Sequence, residues 1–250
     1  MAECLRAWAV PLCLLAALEI YARTVAAGSD AIAAPSAALL AWLGAVRDGS
    51  LWQATLFTLG SAALGLLIAS LLGIAGGLVL GLARRADAGS ALTIELLRPV
   101  PSVALIPLAM LVFGFGLRMQ TAVIAFAAFW PMLILTRSAV RQVEPRLLEL
   151  SRVLGLSAWQ RGWKIVLPAC VPRLFVALRL GVAIALVVAV TVEIAANPHG
   201  MGYAMMIAQQ GLDPALMLAW LGWIGVVGYV INGLALRLQQ RVARAMGEAA

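Results

Sequence analysis

Long apolar runs joined by short, arginine-bearing polar segments make up most of the chain. The runs fall at about residues 8–26, 53–83, 93–115, 120–140, 173–195 and 215–236. Each approaches or exceeds the ~20 residues that a helix needs to cross a ~30 Å hydrocarbon layer. None shows the short alternating apolar and polar segments of a membrane strand. The pattern predicts an all-α polytopic membrane helical bundle with about six transmembrane helices, folded as a single domain over residues 1–250. Between the first two runs, "APSAALLAWLGAV" puts Leu39, Leu40, Trp42, Leu43 and Val46 on one helical face. That spacing suits a short helix lying on the membrane surface.

Composition agrees with a lipid environment. Of the 250 residues, 64% are hydrophobic and 12% charged, whereas a soluble domain of this size is about 25% charged. The first run contains "AVPLCLLAAL", an apolar core of signal-peptide length. Glu19 and Arg23 interrupt its distal end, and almost no net charge precedes it, so it reads as a retained span.

Within the runs, three features stand out. In the second, Ser61, Gly65, Ala69, Gly73, Gly77 and Gly81 place a small residue at every fourth position. Lipid gives helices no hydrophobic reason to associate, so such a row works by letting backbones approach closely. A four-residue step overshoots one turn by about 40°, and the row is expected to wind past more than one neighbour, within the bundle or at a subunit contact. In the third run, Pro99, Pro101 and Pro107 predict a helix broken or bent in its cytoplasmic half. Arg98 sits beside that break, either at an aqueous substrate pathway or snorkelling to the surface. Glu193, near the outer end of the fifth run, poses a similar choice between lining a pathway and anchoring the bundle. Arg179 is read as snorkelling.

The arginines also orient the chain. With a cytoplasmic N-terminus, the inner segments hold Arg6, Arg84, Arg85, the run from Arg137 to Arg173, and Arg237, Arg241 and Arg244. The outer ones keep Arg47 and Arg118, with Arg23 near a boundary. This bias predicts that both termini are cytoplasmic. It also accounts for the net charge of +7 through the membrane surface, with no nucleic-acid partner implied.

The longest polar interruption, about residues 142–170, contains "EPRLLELSRVLGLSAWQRGWKIVLP". Pro145 opens a helix whose apolar side is Leu147, Leu148, Leu150, Val153 and Leu154, and Gly155 suits the left-handed position that ends it. Ser157 with Gln160 forms a capping box for a second helix carrying Trp159, Trp163 and Ile165, which Pro168 is expected to stop. Two short helices with so many leucines and tryptophans exceed what a solvated connector needs.

Glu149, Gly155, Ile165, Leu167 and Pro168 match, at full spacing, the cytoplasmic "EAA...G.........I.LP" loop of permease subunits of binding-protein-dependent ABC importers. "LRPVPSVALIPLAMLVFGFG", "VPRLFVALRLGVAIALVVAVTVE" and "GMGYAM" resemble the branch serving sulfonates, taurine and nitrate. The resemblance covers about residue 35 to the C-terminus and implies a type I ABC importer-like fold in a bacterial cytoplasmic (inner) membrane. It implies ATP-binding cassette ATPase subunits, an extracytoplasmic substrate-binding protein and a second permease copy, as a homodimer, for partners. Glu149 would then be the polar contact to the ATPase, Gly155 the hinge, and Ile165, Leu167 and Pro168 the hold on the bundle. Leu150 and Ser151 stand where the family pattern has two alanines, which alters the fine fit of the docking surface.

No phosphate-binding "GxxxxGK[ST]" run occurs, so nucleotide energy would come from the partner ATPase, and the chain needs no cofactor of its own. His199, the only histidine, has no metal-spaced companion. Cys4, Cys13 and Cys170 form no disulfide framework. No catalytic residues are assigned, since titratable groups do not converge at one depth. A secondary transporter or channel independent of ATP is the alternative; it would be expected to show inverted repeats and midplane charges, which are not found.

Overall fold

The computed structural model describes residues 2–25 and 32–246, and all regular structure among them is helical. In chain order the helices are α1 (Ala2–Thr24), α2 (Pro35–Arg47), α3 (Ser50–Leu82), α4 (Arg84–Leu97), a 3₁₀ turn (Ser102–Leu105) leading into α5 (Ile106–Phe113), and α6 (Leu117–Arg141). There follow α7 (Pro145–Val153), α8 (Ala158–Arg161), a π turn (Gly162–Val166), α9 (Leu167–Ala196), α10 (Met201–Gln210) and α11 (Pro214–Ala245). Helices α3, α6, α9 with its N-terminal extension, and α11 are each long and apolar enough to cross a membrane. The pair of helices bent around Pro99 is long and apolar enough to make a fifth, as a broken span or a re-entrant loop. Among the described residues that makes four or five spans against about six expected; helix α1 is not one of them, and the end of the first run at residue 26 lies outside the described residues.

The row of small residues on α3 meets one neighbour, not several. A Cβ on Gly65 would touch Ile124, on Gly73 Met132, on Gly77 Thr136 and on Gly81 Val140. Ser61 and Gln120, 59 positions apart and hydrogen-bonded, continue the same register. Helices α3 and α6 therefore run parallel, with small residues of one receiving the larger side chains of the other. The winding anticipated from a four-residue step is real, but α6 steps by four as well, so the two coil together and the seam stays closed.

The third run departs from its expected bounds. Helix α4 starts at Arg84 rather than near 93, and it meets the following segment at 84°. Pro99 and Pro101 remove two backbone donors just after Arg98, the last residue in helical geometry, and Pro107 then opens α5. Asp87, buried in the first turn of α4, is paired with Arg137 and Arg141 near the end of α6. That anchor holds α4 at the arginine-rich end of the bundle.

Helix α2 divides its apolar residues between the bundle and the outside. Leu39, Leu40 and Leu43 are exposed. Trp42, Ala45 and Val46 face Trp220, Trp223 and Val227 of α11 instead, with Trp42 and Trp223 ring centroids 5.8 Å apart. Glu19 of α1 explains its own charge, since it accepts from the Ser36 backbone amide at 3.0 Å and from its hydroxyl at 2.7 Å, satisfying the start of α2.

Candidate functional site

The polar loop forms two short helices, as its turn residues dictate. Gly155 adopts φ 65°, and the amide of Leu156 donates to the carbonyl of Ser151, six residues spanning the end of α7 in a Schellman arrangement. The amide of Gln160 donates to Ser157 Oγ (3.2 Å) and the amide of Ser157 to Gln160 Oε1 (3.0 Å), a reciprocal capping box. Pro168, however, does not stop the second helix. Gly162–Val166 widens into a π turn in which Leu167 donates to the Gly162 carbonyl, and the chain runs on unbroken as α9, with Pro172 inside it. Bonding across five residues absorbs the misfit that a proline imposes on a four-residue ladder.

What this element buries and what it leaves open differ sharply. Val166, Cys170 and Leu174 are buried against Ala139, Val140 and Val143, with Leu167 packed beside them. Ile165 is half-buried, while Pro168 and Glu149 are exposed. Leu147, Leu150, Val153, Leu154, Trp159 and Trp163 are exposed too, Val153 at 84% and Trp159 at 80%. The side chain of Leu148 lies outside the described residues. Trp159 and Trp163 stack on each other, with centroids 6.4 Å apart. The result is a raised apolar face, with one acidic residue beside it, that the rest of the chain does not cover.

At the opposite end of the bundle, Glu193 is fully buried. Its carboxylate accepts from Gln120 Nε2 (2.8 Å), Thr58 Oγ1 (3.0 Å) and the amide of Gly202 (2.9 Å). Asn197 donates to Gln120 Oε1, and Gln120 also donates to Ser61 Oγ. Four helices, α3, α6, α9 and α10, meet in this network. The approach is so close that a Cβ on Gly200, whose φ is 98°, would lie 2.2 Å from the Glu193 carboxyl carbon. One on Gly202 would lie 2.4 Å from the Val190 carbonyl oxygen. The first glycine of "GMGYAM" is thus demanded by the carboxylate it covers and the second by the backbone of α9.

Arg98 lies elsewhere. It is exposed at the bend after α4 and, with Ser102, lines an otherwise largely apolar cavity of about 470 Å³ against Phe126, Trp130 and Pro131. The structure does not bring Arg98 and Glu193 together. Pro131 sits within α6 and has no amide to donate, so the carbonyl of Ala127, also on this cavity, lacks its usual helical donor. Sequence reasoning did not find Gln120, Asn197, Thr58 or Asp87. A glutamine at the very start of an otherwise apolar run was the available signal for the first. Asp87 offered none, because its arginine partners lie 50 and 54 positions away.

Comparison with known proteins agrees with these features. Residues 65–246 match the family described as binding-protein-dependent transport system inner membrane component. The riboflavin transport system permease protein of Chloroflexus aurantiacus is 34% identical to this chain, covering 93% of it and 89% of that protein. The taurine transport system permease protein of Escherichia coli is 31% identical, covering 78% of this chain and 70% of that one. The fold is similar to a chain of the MetNI methionine ABC transporter in inward facing conformations, with a TM-score of 0.67 at 20% identity, covering 79% of this chain and 95% of that chain. On a family match that spans well over half its length, the chain belongs to the inner membrane components of binding-protein-dependent transport systems, and is a transport subunit rather than an enzyme.

Proposed function

We propose that this chain forms the translocation path of an ABC importer and that a separate ATPase drives it by gripping the α7–α8 loop. The observation that carries the reading is the uncovered face of Leu150, Val153 and Trp159 beside exposed Glu149. An apolar surface of this kind marks a protein or membrane contact, and its place in the longest polar interruption of the chain favours the protein. The loop shares its end of the bundle with Arg84, Arg85, Arg141, Arg237, Arg241 and Arg244, which supports a cytoplasmic location for it and for both termini. A second copy of the chain and an external binding protein complete the proposed assembly in a bacterial inner membrane.

The transported solute is proposed to be a small anion, such as a sulfonate or nitrate. The named relatives carry solutes as different as taurine and riboflavin, so the cavity chemistry supports this choice more than kinship does. Arg98 is the guanidinium on that cavity, and a charge so placed is more readily tolerated beside water than against lipid. Substituting Arg98→Ala is expected to reduce anion uptake at least tenfold. Unchanged uptake of every anion tested removes the solute assignment.

The driving contact is tested with Glu149→Arg in proteoliposomes containing the co-purified ATPase and binding protein. ATP-dependent uptake is expected to be lost while membrane insertion and thermal stability stay at the parent level. Full uptake by this variant contradicts the docking role.

A further inference from the structure

A cavity of about 820 Å³ opens where α3 ends, α4 begins, α6 ends and α8 passes over them. Arg84, Arg141 and Arg161 line it, together with Asp87. Asp87 is already engaged by Arg137 and Arg141. Neither Arg84 nor Arg161 has an ion-pair partner among the described residues. The lining therefore holds a net charge of +2, with two guanidinium groups left over. One of them is also unsatisfied: the Arg161 Nε–H is buried and has no hydrogen-bond partner among the described residues. A buried donor without an acceptor is costly, and a polar cavity beside it is where an acceptor belongs.

We propose that this cavity binds a phosphate group, as the headgroup of an anionic phospholipid or as free phosphate. Three features select that chemistry. Every cationic group lining it is an arginine, whose planar fork of donors suits tetrahedral oxyanions better than a point-like ammonium does. The volume exceeds what one phosphate fills, leaving room for a glycerol backbone against Leu82 and Val140. The position, at the ends of two spans, is the level at which headgroups lie. A phosphate held by Arg84 and Arg161 joins the first turn of α4 to the helix that carries Trp159. The loop that projects from the bundle is then fastened to it by an anion, and its freedom depends on the lipid around the protein. The inference uses the orientation proposed above only to say which leaflet supplies the lipid.

The test measures binding on the purified full-length chain and makes no use of transport, so its outcome and that of the importer reading are separable. Native mass spectrometry titrates phosphatidylglycerol and phosphatidylcholine, and thermal unfolding in lipid-free detergent titrates inorganic phosphate. The parent chain is expected to retain phosphatidylglycerol in preference to phosphatidylcholine. With Arg84→Gln and Arg161→Gln combined, the phosphatidylglycerol affinity is expected to fall roughly 30-fold, at about fivefold per removed arginine. Stabilisation by phosphate alone identifies a free-anion site, and its absence with phosphatidylglycerol preference intact identifies a lipid site; either supports the proposal. Arg85→Gln, next in sequence but off the cavity lining, is the control and is expected to bind as the parent does. Equal retention of the two lipids with no phosphate effect overturns the proposal, as does an Arg85→Gln loss matching that of Arg84→Gln. Should the double variant not fold, Arg84→Gln alone, at an exposed position, is expected to lose severalfold, and parent-like affinity there is equally fatal.

Discussion

The two ends of the bundle are built on opposite principles. Around Glu193, helices from four parts of the chain meet and three donors converge on the carboxylate, and even the backbone of Gly200 and Gly202 is pressed against it. Around Glu149, leucines, valine and stacked tryptophans stand in the open, with only one side of the segment sewn into Val140, Val143 and Cys170. The difference teaches that polarity alone does not mark a working surface. The buried carboxylate finds three donors on neighbouring helices and so reads as a clasp. The exposed apolar face lacks a partner within the chain and so reads as a contact.

Substitutions separate the two. The largest effect is expected from Glu193→Ala, which strands the buried Gly202 amide and removes an acceptor from Gln120 and Thr58, leaving the first to Ser61 and the second to the Ala54 carbonyl. With about 1–3 kcal/mol for the orphaned amide and two further buried hydrogen bonds lost, the loss of stability should be about 3 kcal/mol or more, read by unfolding in detergent. A parent-like midpoint would mean that the clasp holds nothing. Next comes Gly77→Leu on the α3–α6 seam, where even a Cβ would sit 2.5 Å from Thr136 Cβ. Forcing a side chain into that seam should cost about 1–3 kcal/mol, and a neutral result would show that the two helices part freely. The smallest stability effect is expected from Trp159→Ser at the exposed loop, within about 0.5 kcal/mol. The same variant should fail to retain an ATPase during purification. If Trp159→Ser instead unfolds the protein as Glu193→Ala does, the contrast between the ends disappears.

Much of this architecture could be read from the chain, for identifiable reasons. Spans depend on local hydropathy, and Gly155, Ser157 and Gln160 act over five or six residues, so their helix end and capping box were visible directly. Pro168 misled because its usual role as a stop assumes a four-residue ladder. The π turn before it depends on how Val166 and Cys170 pack, which no local pattern reports. The row on α3 announced a close approach but not its partner, because parallel register with α6 is set 59 positions away. Arg98 and Glu193 looked alike as charges inside spans. Only the fold distinguishes them, placing the first at the edge of a cavity and the second among four helices.

The π turn has a further consequence. Because it prevents a break at Pro168, residues from Trp159 to Ala196 form one rod of 38 residues, or about 57 Å at 1.5 Å per residue. Its foot lies on the uncovered face and its head carries the sealed carboxylate. Leverage applied below thus needs no relay of side chains to be felt above, and the softest point along the shaft is the wide turn itself.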